Sequence, residues 1–290
     1  MKLGRLLLQV VGSRFGLKRR RRRVSRLDLR RTLFVLPNLI TLASIFCGFN
    51  AILLVSLDNP SSDDFYRAAI LLMFAMLFDS LDGRVARMTR TQSAFGLQLD
   101  SLADIVSFGV APSLLVYKWV LYRYPVPGLF VGFMFTACGA IRLARFNVLS
   151  SGPAGNPVKP SKYTVGLPIP PASVILISLL LANHAVGGAL SHERYTISLF
   201  GVTIALSLLM VSSFRFRSFK DLSFNVSTAL LVMFAIGSSA FVWQYGKPQF
   251  VLVWLLSFYV LIGLVETLRA LPERLRRLRE DDSETGLEQG

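Results

Sequence analysis

Four aspartates stand in a part of the sequence that is otherwise strongly apolar. They are Asp79, Asp82, Asp100 and Asp104, all within 26 residues. An aspartate at the centre of a membrane helix costs about 2.5–3.5 kcal/mol on insertion scales, so four unpaired carboxylates would cost on the order of 10 kcal/mol. Something must therefore compensate their charge.

The spacing of these aspartates indicates where their carboxylates meet. The first two are three residues apart and the last two are four apart, so each pair lies on one face of a helix. A short polar connection at residues 90–93 makes the helices antiparallel neighbours, and the pairs can converge between them. Because all four ligands are oxygens, with no His or Cys nearby, the expected ions are Mg²⁺ or Mn²⁺. Arg84 and Arg87 offer another compensation, but they could neutralise one or two carboxylates and not four.

With their neighbours the aspartates form the motif D-x2-D-G-x2-A-R-x8-G-x3-D-x3-D. Its remaining specified positions are Gly83, Ala86, Arg87 and Gly96. The motif resembles the signature of the CDP-alcohol phosphatidyltransferase family at all eight positions. The resemblance implies a six-helix membrane core, two metal ions held by the four aspartates, and Asp104 as the general base. It also implies that the other four motif residues bind CDP-diacylglycerol.

The residue types agree with this chemistry. Two bound cations could bridge the pyrophosphate of CDP-diacylglycerol and stabilise the departing CMP. Asp104 would take the proton of an alcohol that attacks the phosphorus bearing the diacylglycerol. Arg87, one helical turn toward the cytoplasm, could contact a phosphate oxygen. Asn38, beside Pro37 at the expected start of the first span, could contact the nucleotide or serve as a helix N-cap.

The identity of the alcohol is indicated by segments that extend beyond the motif. They read LPNLITLASIFCGF from Leu36, DSLADIVSFGVAPSLL from Asp100, IRLARFNV from Ile141 and YTVGLPIPPA from Tyr163. Together they are similar to the type II phosphatidylserine synthase subfamily, which implies L-serine as the acceptor. Relatives that accept glycerol phosphate typically carry lysine after the fourth aspartate, where this chain has Ile105.

Arg142 and Arg145 are candidates for binding the carboxylate of serine. They are three residues apart near the cytoplasmic end of the fourth expected span, at the depth of the aspartates. An arginine can bind a carboxylate through two parallel hydrogen bonds. Arginines at such a position can also be interfacial anchors. Arg142 lies deeper and is the better candidate for contact with substrate.

The composition indicates which elements carry this cluster. Hydrophobic residues make up 53% of the 290 positions and charged residues 17%, and the mean hydropathy is +0.53. Soluble domains carry about 25% charged residues, and a helix of about 20 apolar residues crosses a bilayer. We predict an all-α, polytopic membrane bundle of about eight transmembrane helices, a six-helix family core plus two. The expected spans are residues 36–57, 66–85, 95–121, 129–149, 167–182, 195–211, 224–243 and 250–268.

These spans divide the chain into four expected parts. They are a basic cytoplasmic segment at 1–35, the phosphatidyltransferase core at 36–212, two additional helices within 213–268 and a charged cytoplasmic tail at 269–290. Of the 32 Lys and Arg residues, 27 lie in the tails and in the loops on the same side. This asymmetry predicts that both termini are cytoplasmic, and we expect an integral protein of the bacterial cytoplasmic membrane.

The net charge of +15 does not by itself indicate a nucleic-acid partner. Twelve Lys and Arg residues precede the first span, including the run at residues 18–23. A polybasic segment beside a membrane helix is attracted to the anionic leaflet by about 1 kcal/mol per residue. The basic segment is therefore expected to bind membrane lipids and not nucleic acid. The other expected partners are the substrates that the resemblance implies, CDP-diacylglycerol and L-serine, and a homodimer is left open.

Two alternatives remain at this level. One is the same transfer to glycerol phosphate, inositol or choline. The other is an ion-coupled transporter, because carboxylates inside a membrane often mark ion paths. A transporter would distribute its ionisable residues through the membrane depth or over repeated halves. Here they are concentrated on one helical hairpin, and no repeat is evident.

Overall fold

The computed structural model describes residues 29–89, 91–150, 163–188 and 193–217, with scattered residues between 238 and 262. In chain order the elements are α1 (Leu29–Val55), α2 (Ser62–Thr89), α3 (Ala94–Asp104), a π-helix (Ile105–Val110), α4 (Ala111–Trp119), a 3-10 turn (Leu121–Arg123), α5 (Pro125–Ser150), β1 (Tyr163–Val165), α6 (Ile169–Ala185), α7 (Glu193–Val211) and β2 (Arg215–Arg217). Most of the predicted span at 224–243, about half of the span at 250–268, the tail at 269–290 and most of the segment at 1–35 lie outside the described residues.

Three helical stretches in the described ranges are long and apolar enough to cross a membrane. They are Val35–Val55, Ala94–Trp119 and Pro125–Leu149. Large apolar side chains such as Phe46 and Phe133 are exposed on them, as expected where a helix faces lipid. The chain is therefore an integral membrane protein. α6 and α7 are apolar but shorter, and the count of eight spans stays a prediction.

α6 lies at the centre of the described helices. Eleven of its 17 residues are buried, and it contacts α2, α4, α5, α7 and the π-helix. A helix that is apolar on all sides is typical of an interior position. Around it, α1 packs along α2 and α5 packs along α7. Phe108 and Phe135 are among the fully buried side chains of the core.

The two helices that carry the aspartates begin at hydrogen-bonded caps. At the start of α2, Ser61 N and Oγ donate to Asp64 Oδ2 at 2.9 and 2.7 Å, and Asp64 N donates to Ser61 Oγ at 3.2 Å. The bonds from Ser61 lower the pKa of Asp64. At the start of α3, Ser93 Oγ accepts from Gly96 N at 3.0 Å. Because a cap fixes where a helix begins, these bonds help to set the register of the aspartates that follow.

A short two-stranded ribbon is an addition to the predicted all-α fold. β1 and β2 pair antiparallel, with Tyr163 opposite Arg217 and Val165 opposite Arg215. The ribbon connects the segment before α6 to the segment after α7. Gly166 follows β1 with φ +78°, and a Cβ there would collide with the Met210 carbonyl oxygen, so only glycine fits. Three-residue strands are too short to leave an alternating pattern in the sequence.

Candidate active site

The structure brings the four aspartates together. Carboxylate oxygens of Asp79, Asp82 and Asp100 all lie within 4.8 Å of one another. The carboxyl groups of Asp79 and Asp104 lie close enough to interact with each other. α2 supplies the first pair and α3 the second, so the site lies where the two helices present their acidic faces to the same point.

This donor set fits a divalent cation. Three carboxylates at such short range repel one another unless positive charge is placed among them. Asp104 Oδ1 is buried and has no hydrogen-bond partner among the described residues, and a buried acceptor in that condition costs about 1–3 kcal/mol. A set of carboxylate oxygens matches hard ions such as Mg²⁺ or Mn²⁺. The cluster of aspartates and the open oxygen of Asp104 therefore fit a metal centre.

Thr41 is a site residue that the sequence did not reveal. Its hydroxyl lies 2.6 Å from Asp82 Oδ2 and 3.1 Å from Pro37 O, and both Thr41 and Asp82 are buried. A hydroxyl that donates to a ligating carboxylate orients the carboxylate and keeps it in place. A lone threonine in an apolar helix is too common to be noticed in a sequence. Its position three residues after Asn38, on the same helix face, is the one signal that could have suggested it.

Removing the Thr41 hydroxyl is expected to weaken metal binding. Thr41→Val keeps the shape of the side chain, leaves Asp82 without its donor, and should lower Mn²⁺ affinity about 10-fold, since partners of ligating groups are worth about 10–100-fold. Binding can be measured from the paramagnetic resonance of free Mn²⁺. Thr41→Ser should retain the affinity. Thr203→Val is the matched control, because the buried Thr203 hydroxyl bonds the Leu199 carbonyl of its own helix. Native Mn²⁺ affinity in Thr41→Val would refute the role.

Asn38 and Gly96 lie against each other. A Cβ at Gly96 would lie 3.4 Å from Asn38 Oδ1 and 3.2 Å from Ser93 Oγ, so glycine lets both side chains approach the start of α3. Asn38 is well inside α1, which begins at Leu29. The alternative that Asn38 is a helix N-cap is therefore wrong. The helix continues through Pro37, which the sequence had suggested as its start.

Gly83, Ala86 and Arg87 lie on the last turns of α2, next to the aspartates. A Cβ at Gly83 would lie 3.5 Å from Arg87 Nη1, an ordinary contact distance. The described protein atoms therefore do not require glycine at this position, which leaves room for a ligand as the reason. Arg87 is exposed, and its charge acts on Asp82. Ala86 is partly buried, and its carbonyl accepts from Thr91 N at 3.0 Å.

The two arginines of α5 differ sharply in their surroundings. Arg142 is buried, with 8% of its surface exposed, its guanidinium carbon lies 5.4 Å from the centre of the Phe146 ring, and its charge acts on Asp104. Arg145 is exposed. Two residues after Arg145, Asn147 Nδ2 donates to Ser101 Oγ at 2.9 Å, which ties the end of α5 to α3. The structure thus brings Arg142 to the aspartates and leaves Arg145 at the surface.

Comparison with known proteins agrees with this geometry. The family model described as CDP-alcohol phosphatidyltransferase matches residues 34–233. A Helicobacter pylori (strain J99) protein named CDP-diacylglycerol–serine O-phosphatidyltransferase is 38% identical over 234 residues, 80% of this chain and 91% of that protein. A Mycobacterium tuberculosis (strain H37Rv) protein of the same name is 34% identical over 224 residues, 77% of this chain and 74% of that protein.

A third relative carries a different name. An archaetidylserine synthase of Methanothermobacter thermautotrophicus is 38% identical over 193 residues, 65% of this chain and 72% of that protein. The range matched by the family model contains all four aspartates and Arg142. With its motif intact and its carboxylates brought to one point, the chain belongs to the CDP-alcohol phosphatidyltransferase family.

Proposed function

We propose that this protein transfers the phosphatidyl group of CDP-diacylglycerol to the hydroxyl of L-serine, forming phosphatidylserine and releasing CMP. The observation that carries the proposal is the meeting of the four motif aspartates beside a buried arginine. The names of the relatives, two of them serine O-phosphatidyltransferases, support serine as the acceptor.

In the proposed reaction Asp104 is the general base. It accepts the proton of the serine hydroxyl as that oxygen attacks the phosphorus bearing the diacylglycerol. The bond between this phosphorus and the CMP oxygen breaks, and CMP departs with the electron pair. Asp79, Asp82 and Asp100, with Asp104, would hold two Mg²⁺ or Mn²⁺ ions, which when bound neutralise the charge of the pyrophosphate.

Other residues bind and orient the two substrates. Gly83 and Ala86 leave space for the pyrophosphate beside α2, and Arg87 supplies a cation for a phosphate oxygen. Asn38 and Gly96, which are adjacent in the structure, offer the nucleotide an amide side chain and the space left by the missing Cβ of glycine. The position of Arg142 beside Asp104 supports a role in binding the serine carboxylate. Arg145, which is exposed, has weaker support for that role.

We further propose a topology of eight spans with both termini in the cytoplasm of a bacterium. The charge asymmetry of the loops supports this orientation. It puts the aspartates near the cytoplasmic face, where a nucleotide headgroup and a polar alcohol both arrive. The acyl chains would stay in the bilayer, and the basic N-terminal segment would lie on the anionic leaflet.

Release of CMP with different acceptors tests the proposed reaction. The purified protein, with CDP-diacylglycerol and Mn²⁺, is offered L-serine, glycerol 3-phosphate, inositol or choline in separate assays. Serine is expected to give CMP and phosphatidylserine in equal amounts. If another alcohol succeeded where serine failed, the acceptor would be wrong and the transfer would stand. If no alcohol released CMP, the transfer itself would be refuted.

Removal of divalent metal is expected to abolish activity. The carboxylate cluster would then lose the cations it is proposed to hold, and stabilisation of the leaving group would fall by several kcal/mol, which corresponds to about 10³-fold in rate or more. Excess EDTA should stop CMP release, and added Mn²⁺ or Mg²⁺ should restore it. EDTA that is saturated with Mn²⁺ beforehand serves as the control. Full turnover in excess EDTA would contradict a metal-dependent mechanism.

A further inference from the structure

An unusual helical turn follows Asp104 directly. Ile105–Val110 form a π-helix, at whose end Ala111 N donates to Val106 O, five residues back. Such turns are rare, because each adds a residue to the helical repeat, and they occur frequently at functional sites. This one lies inside the membrane span Ala94–Trp119. It therefore sets how the helix that carries the base continues into the bundle core.

Hydroxyl groups of two other helices hold consecutive carbonyls of this π-helix. Ser173 Oγ, on α6, donates to Phe108 O. Thr136 Oγ1, on α5, donates to Gly109 O at 3.3 Å. The two carbonyls follow Asp104 by four and five residues, which is about one turn along the helix. The bonds thus act on the turn next to the base.

A third attachment comes from α1. Ser107 Oγ donates to Ser44 O at 3.1 Å, and Ser44 Oγ donates to Ala75 O of α2 at 3.0 Å. Gly48 permits this approach, because a Cβ there would lie 2.9 Å from Ser107 Cα. The π-helix is therefore fastened to α1, α5 and α6, and Ser44 links it to α2, the helix that carries Asp79.

Of the two hydroxyls that donate to carbonyls of the π-helix, that of Ser173 belongs to the more buried residue. It is fully buried, and its hydroxyl also lies 3.0 Å from Ile169 O of its own helix. Ser178, five residues further along α6, is equally buried but bonds the Ile175 carbonyl within that helix. The two serines share a helix and a degree of burial, and they differ in that Ser173 reaches across to Phe108.

We propose that Ser173 is a positioning residue for Asp104. Its hydroxyl holds the π-helix in the arrangement that presents the Asp104 carboxyl group beside Asp79. Without this bond the turn is free to rearrange toward ordinary α-helical bonding, and the rearrangement displaces Asp104 from the reacting hydroxyl. This inference rests on the proposed transfer reaction, in which Asp104 is the base. Ser173 itself acts through the backbone and touches neither substrate.

Comparison of Ser173→Ala with Ser178→Ala tests the inference. Since a displacement of about 1 Å can cost about 10²-fold in rate, partial loosening of the turn is expected to lower kcat about 10-fold in Ser173→Ala. The KM values for CDP-diacylglycerol and serine should change less than about 2-fold, because the loss is confined to the transition state. Ser173→Thr keeps the hydroxyl and should recover most of kcat. Ser178→Ala should keep the native kcat.

A second pair of variants tests the same turn through another carbonyl. Thr136→Val removes the donor to Gly109 O with little change of shape, and Thr136→Ser retains it. Thr136→Val should lower kcat without raising KM. If Ser173→Ala does not fold, this variant tests in its place whether the bonds to the π-helix position Asp104. The inference is overturned if the folded hydroxyl-free variants have native kcat, or if their loss appears equally in KM. If the native enzyme releases no CMP with any of the alcohols offered, the proposed function fails and this inference fails with it.

Discussion

Asp104→Asn is expected to abolish CMP release while most of the binding of CDP-diacylglycerol is retained. Asparagine has the shape of aspartate but cannot accept the proton of the attacking hydroxyl. A positioned general base contributes about 10²–10⁴-fold, equivalent to about 3–5 kcal/mol of the barrier. Asp104 lies beside Asp79, and its Oδ1 is buried with no hydrogen-bond partner among the described residues. That oxygen is the one we expect to meet the serine hydroxyl.

The other aspartates should behave differently when they are changed in the same way. Asp79→Asn and Asp82→Asn should weaken CDP-diacylglycerol binding as well as turnover, because they would hold the ions that hold the pyrophosphate. Equilibrium binding and single-turnover CMP release separate the two effects. Asp63→Asn is the matched control, since Asp63 is exposed at the opposite end of α2. An active Asp104→Asn enzyme, with equal binding losses for all the aspartates of the cluster, would show that the base is another group.

The clustering of charge also bears on the transporter alternative. Among the described residues, the buried charged side chains are Asp82 and Arg142, and both lie at this one site. An ion path needs ionisable groups at successive depths of the membrane. The described helices offer instead one compact group of carboxylates, which is the arrangement found in metal-dependent phosphoryl-transfer enzymes.

Much of the fold could be predicted because apolar length is a strong signal. The expected spans at 66–85 and 195–211 lie within α2 and α7, and all but the last two residues of the span at 36–57 lie within α1. The ends of the helices were less well predicted. The span expected at 129–149 begins earlier in the structure, because Pro125 is the first residue of α5, where the missing N–H of proline costs nothing. The π-helix could not be foreseen, because a continuous apolar run has no period that distinguishes one kind of helix from another.

Part of the site could likewise be predicted from the sequence, and part of it could not. The aspartates could be found because a carboxylate in an apolar helix is costly and therefore conspicuous. Thr41 and Ser173 could not, because hydroxyls are frequent in membrane helices and can bond to their own backbone. The difference between them and Ser178 lies in which carbonyl or carboxylate the neighbouring helix presents, and only the packing of the helices determines that.

Arg142→Ala is expected to raise the KM for serine strongly and to change CDP-diacylglycerol affinity little. Arg142 is buried beside Asp104 and Phe146, where a charged hydrogen-bonded contact is worth about 2–5 kcal/mol. That range corresponds to about 30-fold or more in KM. Arg142→Lys should recover part of the loss, since a point charge cannot reproduce two parallel hydrogen bonds. Arg145→Ala is the matched control on the same helix, and its exposed side chain should affect the KM much less.

Because Arg142 also acts on Asp104, its loss could reduce turnover without any contact to serine, and a second acceptor separates the two effects. Serinamide keeps the hydroxyl and the amino group but lacks the carboxylate. If Arg142 binds the carboxylate, the native enzyme prefers serine to serinamide by a large factor in kcat/KM, and Arg142→Ala loses that preference. If Arg142 only compensates the charge of Asp104, the variant is slower with both acceptors and the preference is unchanged. An unchanged preference, or an unchanged serine KM, would show that the carboxylate is bound elsewhere.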